Sequence, residues 1–301
     1  MTRRQGIAAL VFIAIVWGCS FTVIKQTLAV ASPLVLLALR FTAASIIVAP
    51  WFRGLTRREL IGGIVLGLLF WSGFVLQTVG LEYTTPSRSA FITGLSTPLV
   101  PVAYLVVYRR PPSLATLGAV IVTGVGMYLL TRPGGMSAGL NLGDLLTLGC
   151  AAVFALQIVA VGHYAGVARP TRLLALELGV TGLLSALAAP VFESPRLTLG
   201  LPLVLALAFL SATAALTFYL QLGAQKVVSP TATAIIFTLE SLAAALASWI
   251  VLGEVFTPTQ WLGGILILGG AVLPFLLPAT ERAGVGCVGR PEAPPTPLQV
   301  D

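Results

Sequence analysis

Glu240 sits deep in an apolar run, with Phe237 three positions before it and Ala244 four after it, on one helical face. A carboxylate so placed faces a cavity or a polar partner, because an ionisable group in lipid costs roughly 3 kcal/mol on insertion scales. Two roles fit it: a group that responds to protons or substrate, or a structural group bonded to a neighbouring helix. Gln77 and Gln221 each follow an aromatic residue by three positions, Phe74 and Phe218. An amide both donates and accepts, which suits a ligand carrying both signs of charge; it also serves as glue between helices. Ser89, Thr93 and Ser96 recur at i, i+4 and i+7, a hydroxyl stripe that either lines a cavity or bonds back to its own helix. Trp17, Ser20, Phe21 and Gln157 complete the candidate wall, although Trp17 fits plain packing too. This is the chemistry of binding rather than of bond making.

Other polar residues fit quieter roles. Arg40 and Glu177 hold equivalent places 137 positions apart, and interhelical pairing or snorkelling suits both. Lys25 and Arg88 are expected to snorkel at a membrane surface, and His163 to be a solvated interfacial group. Cys19, Cys150 and Cys287 form neither a C-x-x-C pair nor an even-numbered framework, so they read as small packing residues and a tail thiol. The chain has no Walker sequence, no H-E-x-x-H and no G-x-S-x-G, which argues against ATP hydrolysis and membrane enzymes of those types. No cofactor or metal is expected.

The elements that position these residues are apolar throughout. Mean hydropathy is +1.00, with 57 % hydrophobic and 9 % charged residues, too little polar surface for a water-soluble fold. Ten stretches approach the length of about 20 residues that a helix needs to cross a bilayer: 6–29, 33–52, 60–80, 86–107, 113–131, 143–163, 171–190, 200–222, 229–252 and 258–277. The chain lacks the alternating pattern of a membrane barrel, so these are helices. Ser32-Pro33, Ser229-Pro230 and Thr257-Pro258 read as helix starts, a capping residue followed by proline. Arg3 and Arg4 before an apolar run resemble a targeting signal, but Trp17 is too bulky for the cleavage box at Val16–Cys19. An uncleaved first helix is expected.

The +7 formal charge is placed for topology. With a cytoplasmic N-terminus, twelve of the 17 Lys/Arg lie inside, four (Lys25, Arg88, Arg132 and Arg196) outside, and Arg40 within the second helix. Both termini are then cytoplasmic. No basic stripe interleaved with aromatics exists, so no nucleic-acid partner is expected.

A shift of 144 brings Phe74, Gln77, Pro86 and Ala90 onto Phe218, Gln221, Pro230 and Ala234. Five spans separate such partners, and five is odd, so the halves must cross the membrane in opposite senses. An inverted repeat of five plus five is a plan of secondary transporters, with a site near the midplane between the halves.

With Trp17-Gly18-Cys19-Ser20-Phe21, Leu39-Arg40-Phe41, the run Gln77–Pro98, Gly143-Asp144 and the run Ser229–Glu254, the chain resembles the drug/metabolite transporter superfamily. It is most similar to its EamA-type ten-helix exporters, which include the YddG-like amino-acid exporters. Ser241 stands where relatives often carry proline after the glutamate, which leaves the bend of the ninth helix open. The small four-helix multidrug exporters of that superfamily use a carboxylate in their first helix; the first and sixth spans here have none in their cores.

The expectation is an all-α integral membrane protein of ten transmembrane helices in two inverted five-helix repeats, 1–132 and 143–278, with a disordered cytoplasmic tail over 279–301. The resemblance implies a secondary exporter of small metabolites, foremost amino acids, in the bacterial cytoplasmic membrane, with the bilayer and a small-molecule substrate as partners. The expected substrate-binding set is Trp17, Ser20, Phe21, Phe74, Gln77, Ser89, Thr93, Ser96, Gln157, Phe218, Gln221, Phe237 and Glu240. Sugars, nucleotide-linked metabolites or drugs are the nearer alternative cargo, and an enzyme or scaffold anchored by the bundle is the alternative of another class.

Overall fold

The structure, a computed structural model, describes residues 1–109, 111, 114–131, 141–252 and 257–276. Its helices are α1 (Arg3–Thr27), α2 (Pro33–Ile47), α3 (Arg57–Tyr83), α4 (Pro86–Gly94), α5 (Ser96–Tyr108), α6 (Leu114–Thr131), α7 (Leu142–Val167), α8 (Pro170–Phe192), α9 (Leu201–Ala224), α10 (Pro230–Phe237), α11 (Leu239–Leu252) and α12 (Pro258–Leu276). Cys287 and the 279–301 tail lie outside the described residues.

Local sequence explains the starts. Thr2 with Gln5, Thr56 with Glu59 and Asn141 with Asp144 form reciprocal capping boxes at α1, α3 and α7, each satisfying two backbone donors that no turn precedes. Ser229 caps α10 by accepting from Ala232. Ser32 does not cap α2. Its hydroxyl donates instead to Glu193 at 2.6 Å, and that carboxylate accepts the Leu34 and Val35 amides at 3.1 Å. An anion from the end of α8 thus does what Ser32 was expected to do, and does it with full charge at a helix N-terminus.

Among the described residues, seven helical stretches are long and apolar enough to cross a membrane, and three shorter apolar helices accompany them. Three expected spans are not continuous. The second ends its α-helix at Ile47 and closes with a 3-10 turn over Ala49–Phe52 around Pro50. The fourth breaks between α4 and α5, and the ninth between α10 and α11. At the first break the Leu95 amide bonds to the Ile92 carbonyl, at the second the Thr238 amide bonds to that of Ile235. These are three-residue bonds, which tighten a terminal turn. No proline sits at position 241 to cause the second break. The Thr238 hydroxyl, which donates to the Ile235 carbonyl at 2.6 Å, competes for the helix's own acceptor in its place.

Packing pairs the helices α1–α6 with the helices α7–α12. α1 lies along α9 and α11, and α7 along α3 and α5; α2 meets α9, and α8 meets α3; α2 and α8 pack on each other, as do α6 and α12. Small residues permit the closest approaches. A Cβ at Gly18 would sit 2.5 Å from the carbonyl oxygen of Glu240 in α11, and Gly67 of α3 seats the side chain of Val180 from α8. Without a strong hydrophobic force between helices in lipid, such contacts and interhelical hydrogen bonds hold the bundle. Large apolar side chains such as Leu187, Val191, Leu205 and Ile265 point outward, the surface that a bilayer covers.

Candidate functional site

A narrow cavity lies where the broken helices meet α1, α2, α3, α7 and α9. Twelve of the thirteen expected residues line it. α1 supplies Trp17, Ser20 and Phe21; α3 supplies Phe74 and Gln77; α4 and α5 supply Thr93 and Ser96 from either side of their break. Gln157 comes from α7, Phe218 and Gln221 from α9, and Phe237 and Glu240 from either side of the second break. Ser89 does not line it. That hydroxyl is fully buried one turn before Thr93 on α4 and has no hydrogen-bond partner. Thr93 and Ser96, on either side of the break, reach the cavity, whereas Ser89 lies one turn nearer the start of α4 and stops short of it.

Aromatic residues are the largest group in the wall. Phe70, Phe74 and Phe218 contact one another edge to face, with ring centroids 4.3 to 6.1 Å apart, and Phe154 joins them at 5.3 Å from Phe74. Trp17 packs at 4.9 Å from both Phe218 and Phe237. Its indole N–H donates to the Thr217 hydroxyl at 2.9 Å, which fixes the ring against α9. Trp17 is therefore both packing and wall.

A chain of amides runs behind one side. The Gln221 amide donates to Gln157 at 3.4 Å and to Gln225 at 3.1 Å, and Gln157 donates to Glu177 at 3.0 Å. Gln225 ends the chain by donating to the Ile158 carbonyl. The carbonyl oxygen of Gln221 and the second oxygen of Glu177 are buried without partners. Across the repeat, the Gln77 amide donates to the Thr93 hydroxyl at 3.3 Å.

Arg40 was expected to pair between helices or snorkel; it does not snorkel, and its interhelical partner is a backbone carbonyl, that of Leu210 in α9. It is 2 % exposed and lines the cavity, because α2 is packed between α8 and α9 and a side chain midway along it has no route to water. Sequence reasoning also passed over Gln225, Phe70, Gly94, Phe154 and Ile158. For Gln225 a signal existed, a polar residue four positions beyond Gln221 on the same helical face.

The predicted outer end is tied by polar contacts. The Lys25 ammonium donates to the carbonyls of Leu81, Glu82 and Thr84 at 2.7, 3.2 and 2.9 Å, covering the end of α3. Arg88 pairs with the buried Asp144 at 2.6 Å, and the Thr84 hydroxyl donates to the same carboxylate. Lys25 and Arg88 thus cap and pair rather than snorkel. At the other end Arg172 pairs with Glu59 at 2.8 Å, beside Arg57, Arg58 and Arg169. His163 is exposed there, its ring 5.0 Å from that of Tyr164.

The cavity volume is about 50 Å³, room for a water or two, against roughly 300–1,000 Å³ for sites that enclose a small molecule. The helices are closed on it in this conformation, and a solute enters only if they part. Chemically the lining can hold a solute by ring contact, amide hydrogen bonds, one guanidinium and one carboxyl group. It brings together no activated nucleophile with a base, and no group of three metal-ligating side chains occurs among the described residues.

Comparison with known proteins agrees with a carrier. The sequence model of the EamA-like transporter family matches the chain twice, over residues 4–132 and 141–276. A protein of Archaeoglobus fulgidus described as an uncharacterized transporter is 32 % identical over 90 % of this chain and 86 % of its own length. The uncharacterized inner membrane transporter YicL of Salmonella typhimurium is 26 % identical over 90 % of this chain and 95 % of its own. A solved crystal structure superposes with a TM-score of 0.71 at 20 % identity, covering 92 % of this chain and 98 % of the other. That last likeness is one of fold alone.

Proposed function

Because the chain belongs to the EamA-like transporter family, and so is a multi-pass membrane transporter rather than an enzyme, we propose that it exports small metabolites, foremost amino acids, across the cytoplasmic membrane. The observation that carries this reading is the cavity itself. Aromatic rings, amides, one cation and one carboxylate converge on it from both ends of the chain, which suits a small solute with an apolar body and both signs of charge.

The transport plan is two inverted five-helix repeats, 1–132 and 143–278, ten crossings in all, with both termini cytoplasmic. Three observations support it. The family model matches each half separately. The packing pairs have counterparts across the halves, α1 on α9 as α7 is on α3. The helix breaks fall at Leu95 and at Thr238, within one residue of the shift of 144. Discontinuous helices at the midplane are a common way to build a carrier site. Alternating access then consists of one half rocking against the other, with the closed cavity as an occluded stage.

Purified protein in liposomes loaded with a labelled amino-acid mixture tests this reading. Protein-dependent efflux of one or more amino acids is expected. Efflux no faster than from empty liposomes, together with flux of sugars or nucleotide-linked solutes, favours the rival cargo.

A further inference from the structure

We propose that Arg40 selects the substrate by its carboxylate, so that this carrier takes monocarboxylates with an apolar or aromatic body. The inference rests on the reading that the central cavity receives the substrate.

Arg40 is a buried cation without a counter-charge. It is 2 % exposed, and it forms no ion pair with any carboxylate among the described residues. Its Nε donates to the Leu210 carbonyl at 3.3 Å, which anchors the guanidinium to α9. Nη1 is buried with no acceptor. The rings of Phe41 and Phe74 lie 5.0 and 5.2 Å from the guanidinium carbon, and their faces offset part of the cost of burial. A ring face does not replace the in-plane acceptor that an Nη–H requires. Guanidinium is charged at every accessible pH and presents a planar fork of donors. A carboxylate matches that fork with two parallel bonds.

The neighbours narrow the class. Arg40 is the one cationic side chain among the residues lining the cavity, so a phosphate dianion there would stay half neutralised. Beside it stand Phe70, Phe74 and Phe218, which offer ring surface to the rest of the molecule. A polyhydroxylated solute would leave its hydroxyls unpaired against those rings.

The test is ligand-induced thermostabilisation of the full-length protein in detergent. The probes are L-phenylalanine, 3-phenylpropionate, L-phenylalaninamide, 2-phenylethylamine and phenyl phosphate, each at matched ionic strength. The two carboxylates should raise Tm at concentrations at least about tenfold below those at which the amide, the amine or the phosphate do so. Arg40→Gln should erase that preference, and Arg40→Lys should keep part of it. Equal stabilisation by acid and amide, preference for phenyl phosphate, no stabilisation by either carboxylate, or an undiminished preference in Arg40→Gln would each overturn the proposal. If Arg40→Gln does not fold, the ranking of probes on the wild-type protein decides alone. Absence of amino-acid flux in liposomes defeats the transport reading, whereas loss of the acid-over-amide preference defeats only the role of Arg40.

Discussion

Thr97, one residue into α5, donates its hydroxyl to the carbonyl of Ala234 in α10 across 2.9 Å. Its counterpart lies 144 positions along, where Ser241 of α11 donates to the Ala90 carbonyl of α4 at 3.1 Å. Each broken helix thus supplies a hydroxyl from beyond its own break to a carbonyl before the other's. Ala234 needs it: the Thr238 amide, which a continuous helix would have brought to that carbonyl, bonds to Ile235 instead. The pair of contacts ties the two breaks together across the halves.

Thr97→Val should therefore lower the stability of the folded protein by about 1–2 kcal/mol, since it strands a buried carbonyl. Ser241→Ala should cost a similar amount. Thermal unfolding in detergent checks both, and an unchanged Tm in each would mean that the breaks are held by packing alone.

The outer network is expected to act as a closure. Arg88→Ala or Asp144→Asn removes the 2.6 Å ion pair and leaves the partner charge partly buried, which biases the protein toward states in which that end is open. In a cysteine-free background, Ser20→Cys should then react several times faster with an impermeant thiol reagent added from outside. Equal labelling rates with and without the ion pair would remove it from the gating scheme.

Orientation follows from the charge distribution. A cysteine at the exposed Leu142 should be labelled from outside intact cells, and one at Arg4 should not. The reverse pattern would invert the topology proposed above.

Glu240 is expected to bind rather than to couple. It sits in the first turn of α11, where the positive end of a half-helix lies close by. Neither α1 nor α7 offers a carboxylate in its core; the Asp144 carboxylate is spent on accepting the Asn141 amide at the α7 cap and on pairing with Arg88. The proposed carrier is driven by the substrate's own gradient. Glu240→Gln should keep much of the flux in liposomes with no imposed pH gradient. Concentrative uptake driven by a pH gradient and abolished by Glu240→Gln would make this carboxylate the coupling group.

Much of this molecule was legible because membrane helices announce themselves by length and composition, and because the aromatic–amide pairs Phe74–Gln77 and Phe218–Gln221 recur at a fixed shift. The breaks were less legible. Leu95 and Thr238 are ordinary residues in apolar runs, and what marks them is a three-residue hydrogen bond that no periodicity encodes. Arg40 was missed because hydropathy treats an arginine near a helix end as a snorkelling group. Whether it reaches water depends on α8 and α9, which pack over α2 from more than a hundred residues away.

The central claim is that the cavity joining the two halves is where the solute binds during transport. The initial rate of amino-acid counterflow in liposomes containing Gln221→Ala, compared with the wild type at equal folded protein, tests it most directly. Gln221 lines the cavity and links Gln157 to Gln225, so its loss should slow counterflow about tenfold or more, with Gln77→Ala behaving alike. Wild-type counterflow in both variants would show that these amides only hold helices together and that solute passes elsewhere.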